Sequence, residues 1–168
     1  SDRAVIVLLV APDHFGQGRS AISTSARSWN TPYGVLDADT AVVNAITAAT
    51  SSIRIDDTVF AKEHGVYGIV PFIKKSFPNA KIVPVIIRDT TSAAATQALA
   101  HSLRAALPED VLIVGSFDFS HYLPEDVARF HDQTSGAVLQ TLDTVGVRNL
   151  DIDSRPGLQM VLEMLRAD

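Results

Sequence analysis

Three short apolar runs rich in β-branched residues recur along the chain: Ala4–Val10 (AVIVLLV), Lys81–Ile87 (KIVPVII) and Val111–Gly115 (VLIVG). Runs of this kind, ended by glycine, proline or a polar turn, read as strands buried on both faces. The stretches between them carry apolar residues at three-to-four spacing. Val42, Val43, Ile46 and Ala49 follow Asp39; Val66, Val70, Ile73 and Phe77 follow Glu63; Ala95, Leu99, Leu103 and Ala106 follow Thr90–Ser92. Strand alternating with helix restricts the fold to α/β, a mainly parallel central sheet with helices on both faces. At 168 residues, 46% hydrophobic, with no internal repeat or low-complexity tract, the chain suits one domain with a real core.

Local features refine this outline. Val111–Gly115 is expected to be a central strand, and Pro84 argues that Lys81–Ile87 lies at a sheet edge or carries a bulge. Residues 16–36, rich in glycine, serine and threonine, read as a long irregular segment pinned by Trp29, with a turn at 31–34. A short strand is expected at 56–61, and Asp39 caps a helix running to about Thr50. After Pro124 a long helix should run to about Val145, with Val127, Phe130, Thr134, Val138, Leu142 and Val145 facing inward. Its His131 and Asp132 read as packing and surface residues. A last helix carries Leu158, Val161, Leu162 and Leu165 on one side.

The polar residues of interest follow the strands. His14 comes after the first run, and Asp118 and His121 come after the third. If those strands are parallel, both imidazoles lie at one edge of the sheet, where α/β folds bind ligands. Asp118 and His121 are three apart, so one helical turn would pair a carboxylate with an imidazole, the usual way to orient a general base or a metal ligand. Glu63–His64 is a further acid–imidazole pair at a helix start, where Glu63 taken singly reads as a solvated first-turn acid. With no cysteine, any metal site must use His, Asp or Glu, and the same absence fits a reducing cytoplasm. A net charge of −5 without a Lys/Arg cluster argues against a nucleic-acid surface, and no apolar run is long enough to cross a bilayer.

The segments Ala11–Phe15 (APDHF), Thr31–Gly34 (TPYG), Glu63–Ile87 and Ser116–Tyr122 (SFDFSHY) resemble, in the same order, motifs of the MEMO-like family. The resemblance implies a fold like that of class III extradiol dioxygenases, which hold Fe(II) with two histidines and a carboxylate. His14 matches the family's second histidine, Asp118 and His121 its D-F-x-H motif, and Glu63–His64 the start of its E-H-S-I-E motif. A family histidine in a Pro-His-Ala-Gly-Tyr segment has no counterpart in the sequence, and the second glutamate of E-H-S-I-E is lost. The family's Cys-Gly-Arg segment aligns with Asp153-Ser154-Arg155, so a carboxylate stands where the family has a thiolate. The expectation is one MEMO-like domain over 1–168, lacking the family's N-terminal and C-terminal segments.

The resemblance implies two functions. In the first, the chain is a metal-dependent, dioxygenase-like redox enzyme using a divalent transition metal (Fe(II), Cu or Zn) held by His14 and Asp153. His121 oriented by Asp118 then acts as acid/base, His64 is a second imidazole facing a small-molecule substrate, and Glu63 beside it completes the catalytic set. In the second, the chain is a non-catalytic module with a degenerate metal site, and its pocket binds a small molecule or peptide.

Overall fold

A computed structural model describes residues 5–166. The strands are β1 (Ile6–Pro12), β2 (Ile22–Thr24), β3 (Trp29–Thr31), β4 (Gly34–Ala38), β5 (Ile53–Ile55), β6 (Lys81–Ile87) and β7 (Leu112–Gly115). The helices are α1 (Thr40–Ala49), α2 (His64–Tyr67), α3 (Val70–Ser76), α4 (Ala93–Ala106), α5 (Glu125–Thr141) and α6 (Arg155–Arg166). The sheet runs β3-β4-β6-β1-β7, with β2 joining β6 to β5 off this path. β4, β6, β1 and β7 are parallel to one another, while β2 on β6 and β3 on β4 are antiparallel. The mainly parallel sheet with helices on both faces is therefore present.

Alternation along β1 divides the core in two. Leu8 and Val10 face a cluster with Val43, Ile46, Leu99, Leu103 and Met160, supplied by α1, α4 and α6. Val7, Leu9 and Ala11 face Val59, Phe60, Val66, Val70 and Ile73 on the opposite side. Residues Val7–Ala11 are all fully buried, which is why this run has no polar position. Asp39 caps α1 as expected, accepting from the Val42 N–H at 3.1 Å, and Ser92 caps α4.

Several local expectations are overturned. Pro84 lies inside the sheet, not at an edge. β4 pairs with Lys81 and Ile82 and β2 with Val85–Ile87, so the missing N–H falls where the neighbouring strand changes. Segment 16–36 holds β2, β3 and most of β4, with Trp29 edge-on to Phe60 at 6.2 Å. The strand expected at 56–61 is a 3-10 turn at Val59–Ala61. Asp56 accepts from the Thr58 N–H and hydroxyl and bends the chain there, and the strand comes earlier, as β5.

β7 is terminal rather than central, bonded to β1 alone among the described strands. The α5 face also departs from expectation. Ser135 and Val138 are buried, but Val127 and Phe130 are exposed, Phe130 by 67%, and the helix ends at Thr141 with Leu142 left-handed, so Val145 falls outside it. A clean 3.6 period identifies an apolar stripe but not what covers it. The first turn of α5 is supported locally by Glu125 and Asp126 near its N-terminus and by the Glu125–Arg129 pair at 2.7 Å.

Burial predicts the response to truncation. Leu103→Ala should lower the unfolding free energy by about 2–5 kcal/mol, whereas Phe130→Ala on α5 should stay within about 0.5 kcal/mol. Urea denaturation of the two variants checks the contrast, and equal losses would mean that α5 packs as tightly as α4.

Candidate functional site

The site forms where β1 and β7 end side by side. The Asp13 N–H donates to Ile87 O and the Ser116 N–H to Val10 O, which carries the ladder just past each strand end. His14 follows immediately. The next layer comes from the start of α2, where Glu63 is the N-cap and accepts from the Gly65 N–H at 3.0 Å. The third wall is the approach to α6. Phe119 bridges to Ile152, the Asp153 N–H donates to Asp118 O at 3.0 Å, and Ser154 caps α6 through the Gly157 N–H.

Phe117 sets the spacing of that wall. Its ring lies between Gly115 and Gly157, and a Cβ built on either would come within 2.6 Å of it. Both glycines are therefore requirements of close approach.

Glu63 is the centre of the arrangement and has no solvent exposure. Its Oε2 accepts from the His14 N–H at 3.0 Å, and its Oε1 lies 2.6 Å from His14 Nδ1. The expectation of a solvated first-turn acid is wrong. The residue does cap a helix, but the cap is pressed against β1 and the carboxylate is spent on fixed donors. A carboxylate at Nδ1 requires the proton there, so Nε2 is the free nitrogen of neutral His14. Nε2 points to Asp153 Oδ2 at 3.3 Å. His64 stacks on His14 with ring centroids 4.0 Å apart and lies 3.9 Å from Glu63 Oε1.

Asp153 carries the second signal. Its Oδ1 is buried with no hydrogen-bond partner. Burial pushes its carboxyl above the usual carboxylate range, and Asp118 adds to this. The opposing pull of His14 and of a backbone hydrogen bond at Asp118 does not cancel the rise.

The structure thus brings together His14, Glu63, His64 and Asp153, with Asp118 beside Asp153. His14, Glu63 and His64 form a cluster that can hold a metal ion. The pairing of Asp118 with His121 is not found. Residues 116–124 are extended and turned rather than helical, because Phe119 is committed to its bridge with Ile152. His121 Nδ1 instead meets its own Phe119 carbonyl at 3.3 Å, on the exposed side, against Tyr122. His131, which the sequence places among packing and surface residues, lies 3.3 Å from Asp151 and 3.1 Å from Ser120. The polar run Asn149–Arg155, which supplies Asp151 as well as Asp153, was the available signal.

Replacing the buried acceptor should be costly. Glu63→Gln keeps the shape but turns an NH2 toward one of the existing donors, so the unfolding free energy should fall by about 1–3 kcal/mol. Imidazole 15N shifts should show His14 losing its fixed Nδ1–H form. An unchanged tautomer would mean that Glu63 does not orient the ring.

Comparison with known proteins agrees with this architecture. A MEMO1 family protein of Pyrobaculum aerophilum is 31% identical over 146 residues, covering 84% of this chain and 51% of the relative. One from Methanothermobacter thermautotrophicus is 29% identical over 144 residues, covering 84% and 52%. The chain spans about half the length of these curated relatives. No helix among the described residues is long and apolar enough to cross a membrane. The family model described as Memo-like protein matches residues 1–154, and the chain belongs to that family.

Proposed function

We propose that the pocket at the ends of β1 and β7 is a divalent-metal site held by His14 Nε2 and Asp153, with oxidative, dioxygenase-like chemistry on a small organic substrate. The observation that carries this reading is the orphaned carboxylate. Asp153 Oδ1 is buried without a partner, and Oδ2 stands 3.3 Å from His14 Nε2. Two ligand atoms on one ion, each about 2.1 Å from it, stand roughly 3–3.5 Å apart, so the pair fits a shared cation. Glu63 has its oxygens engaged by three donors and acts as the carboxylate behind the ligand histidine. An imidazole–carboxylate set without thiolate suits Fe(II), Zn or Cu(II) better than Cu(I).

A bound ion would supply Lewis acidity and, for iron or copper, a redox couple. The remaining work falls to the chain. Glu63 holds His14 in one tautomer. His64, half exposed at 51% and stacked on His14, is the imidazole placed to exchange a proton with a substrate in the open side of the pocket. Asp118 stands beside Asp153, and His121 meets the Phe119 carbonyl instead of pairing with Asp118. The lack of that acid/base pair favours a second reading, a pocket that binds a small molecule or peptide without turning it over.

Elemental analysis after anaerobic loading with Fe(II), Zn or Cu tests the site. Stoichiometric metal is expected in the unmodified chain and in His121→Ala. Loss of at least about tenfold in affinity is expected in His14→Ala and Asp153→Asn. Metal retained in both latter variants would sink the assignment, and metal without oxidative turnover would select the second reading.

The raised Asp153 carboxyl sets the pH dependence. Its folded-state value lies above its unfolded value, so its contribution to stability is complete below the unfolded value and is lost as pH rises through the folded one. Asp153→Asn should therefore gain stability on the unmodified chain as pH rises from the acid side, in metal-free buffer. Metal binding must displace the same proton, so the apparent affinity of the unmodified chain should fall as pH drops into that window. Thermal melts and metal titrations across the acid range check both directions.

A further inference from the structure

A second concave site is lined by other residues than His14, Glu63, His64 and Asp153. A cleft of about 490 Å³ opens between the N-terminal half of α5 and the segment leading into α6. We propose that this cleft binds a free α-amino acid with an apolar side chain, independently of any metal.

The cleft carries two opposite charges that the protein leaves apart. Arg155 lines one side. Its Nε is fixed by donation to Leu150 O at 3.1 Å, and among the described residues its terminal nitrogens have no partner. Asp151 lines the same cleft and is not ion-paired with Arg155; its Oδ2 lies 3.3 Å from His131 Nδ1. Ser120 Oγ meets that same nitrogen at 3.1 Å. Serine and carboxylate on one nitrogen cannot form a proton relay, which needs them on opposite ring atoms. The arrangement is therefore a binding one. The carboxylate keeps the proton on Nδ1, leaving His131 Nε2 as a neutral acceptor.

The cleft thus offers a guanidinium fork for a carboxylate, a carboxylate and an imidazole acceptor for an ammonium, and an apolar wall. Leu123 and Phe130 form that wall, exposed by 40% and 67%. A simple anion would meet Asp151 and a simple cation would meet Arg155, so a ligand carrying both charges is the one that both side chains favour. The size of the cleft falls within the range of small-molecule sites. The apolar wall selects an aliphatic or aromatic side chain over a polar one.

The test is an NMR titration of the 15N-labelled chain with L-phenylalanine and L-leucine, in chelator so that the outcome does not depend on the metal pocket. Shifts should concentrate on residues 120–134 and 149–155. Phenethylamine, which lacks the carboxylate, and 3-phenylpropionate, which lacks the ammonium, should each bind at least roughly tenfold more weakly, because one charged group of the site is left unanswered. Asp151→Asn should weaken phenylalanine by a similar factor while leaving 3-phenylpropionate no weaker. Arg155→Lys should weaken both carboxylates. The analogue series on the unmodified chain stands even if a variant folds poorly. Absence of shifts in these segments at millimolar amino acid would overturn the proposal. Equal binding of the three phenyl compounds would do the same, reducing the cleft to an apolar groove.

Discussion

A charge with no access to water has to be matched by the groups around it, and Glu63 is where this protein meets that condition. Removing a carboxylate from solvent costs several kcal/mol even after relaxation, and only well-aligned donors offset it. Glu63 has two backbone N–H groups, from His14 and Gly65, and the ring nitrogen of His14. Two of the three come from the residue just past β1 and the third from the first turn of α2. The same contacts that neutralise the charge therefore lock the strand to the helix and fix the imidazole. Gly65 makes the approach feasible, since a Cβ there would stand 3.1 Å from the Ala11 Cβ. In the Glu63-His64-Gly65 sequence, acid and glycine together carry the geometry, and the histidine between them is free to stack.

The other wall depends on shape more than charge. The ring of Phe117 fills the space between Gly115 and Gly157 and so aligns the exit of β7 with the start of α6. The bridge from Phe119 to Ile152 continues the alignment, and Asp153 arrives at His14 as a result. Because Ile152 is anchored in a third apolar cluster with Leu150, Leu158 and Leu162, the carboxylate cannot swing out to solvent without disturbing that cluster. An unsatisfied buried oxygen persists only where its surroundings over-determine it. Here they do.

The legible parts of the sequence were those where local pattern and final environment agree. Val7–Ala11 is apolar at every position because it is covered on both faces, and Asp39 and Ser92 cap their helices through their own side chains. His14 stands out by its place just past the first strand as well as by its motif, and Asp153 by motif alignment alone; the fold sets the two side chains 3.3 Å apart. Where the reading failed, the deciding partner was remote in sequence. Glu63 looks like any first-turn acid until β1 is laid against it, 49 residues away. The apolar run of β7 says that its faces want covering, yet nothing in it says which strands take its edges. The rule that puts Pro84 at an edge or a bulge holds for a strand with one neighbour along each edge, whereas β6 exchanges β4 for β2 at that residue. The pairing of Asp118 with His121 assumed a helical turn, and the bridge of Phe119 removed it.

Segment 149–155 shows how a short loop can serve two neighbourhoods at once. Asp151 lies against His131 on α5 and Asp153 against His14 beyond β1, with Ile152 buried between them. Each carboxylate faces an imidazole, but the two pairs differ in what they leave open. His14 has its Nδ1 occupied by Glu63, so its contact with Asp153 uses the outward nitrogen, the arrangement of a metal ligand beside another ligand. His131 uses Nδ1 for Asp151 and Ser120 together, and among the described residues no carboxylate faces its remaining nitrogen, which is left as an acceptor. The first geometry suits a cation shared between protein groups. The second suits a donor brought by a ligand. That contrast follows from which ring nitrogen each carboxylate reaches, and it is fixed by the backbone path on either side of Ile152.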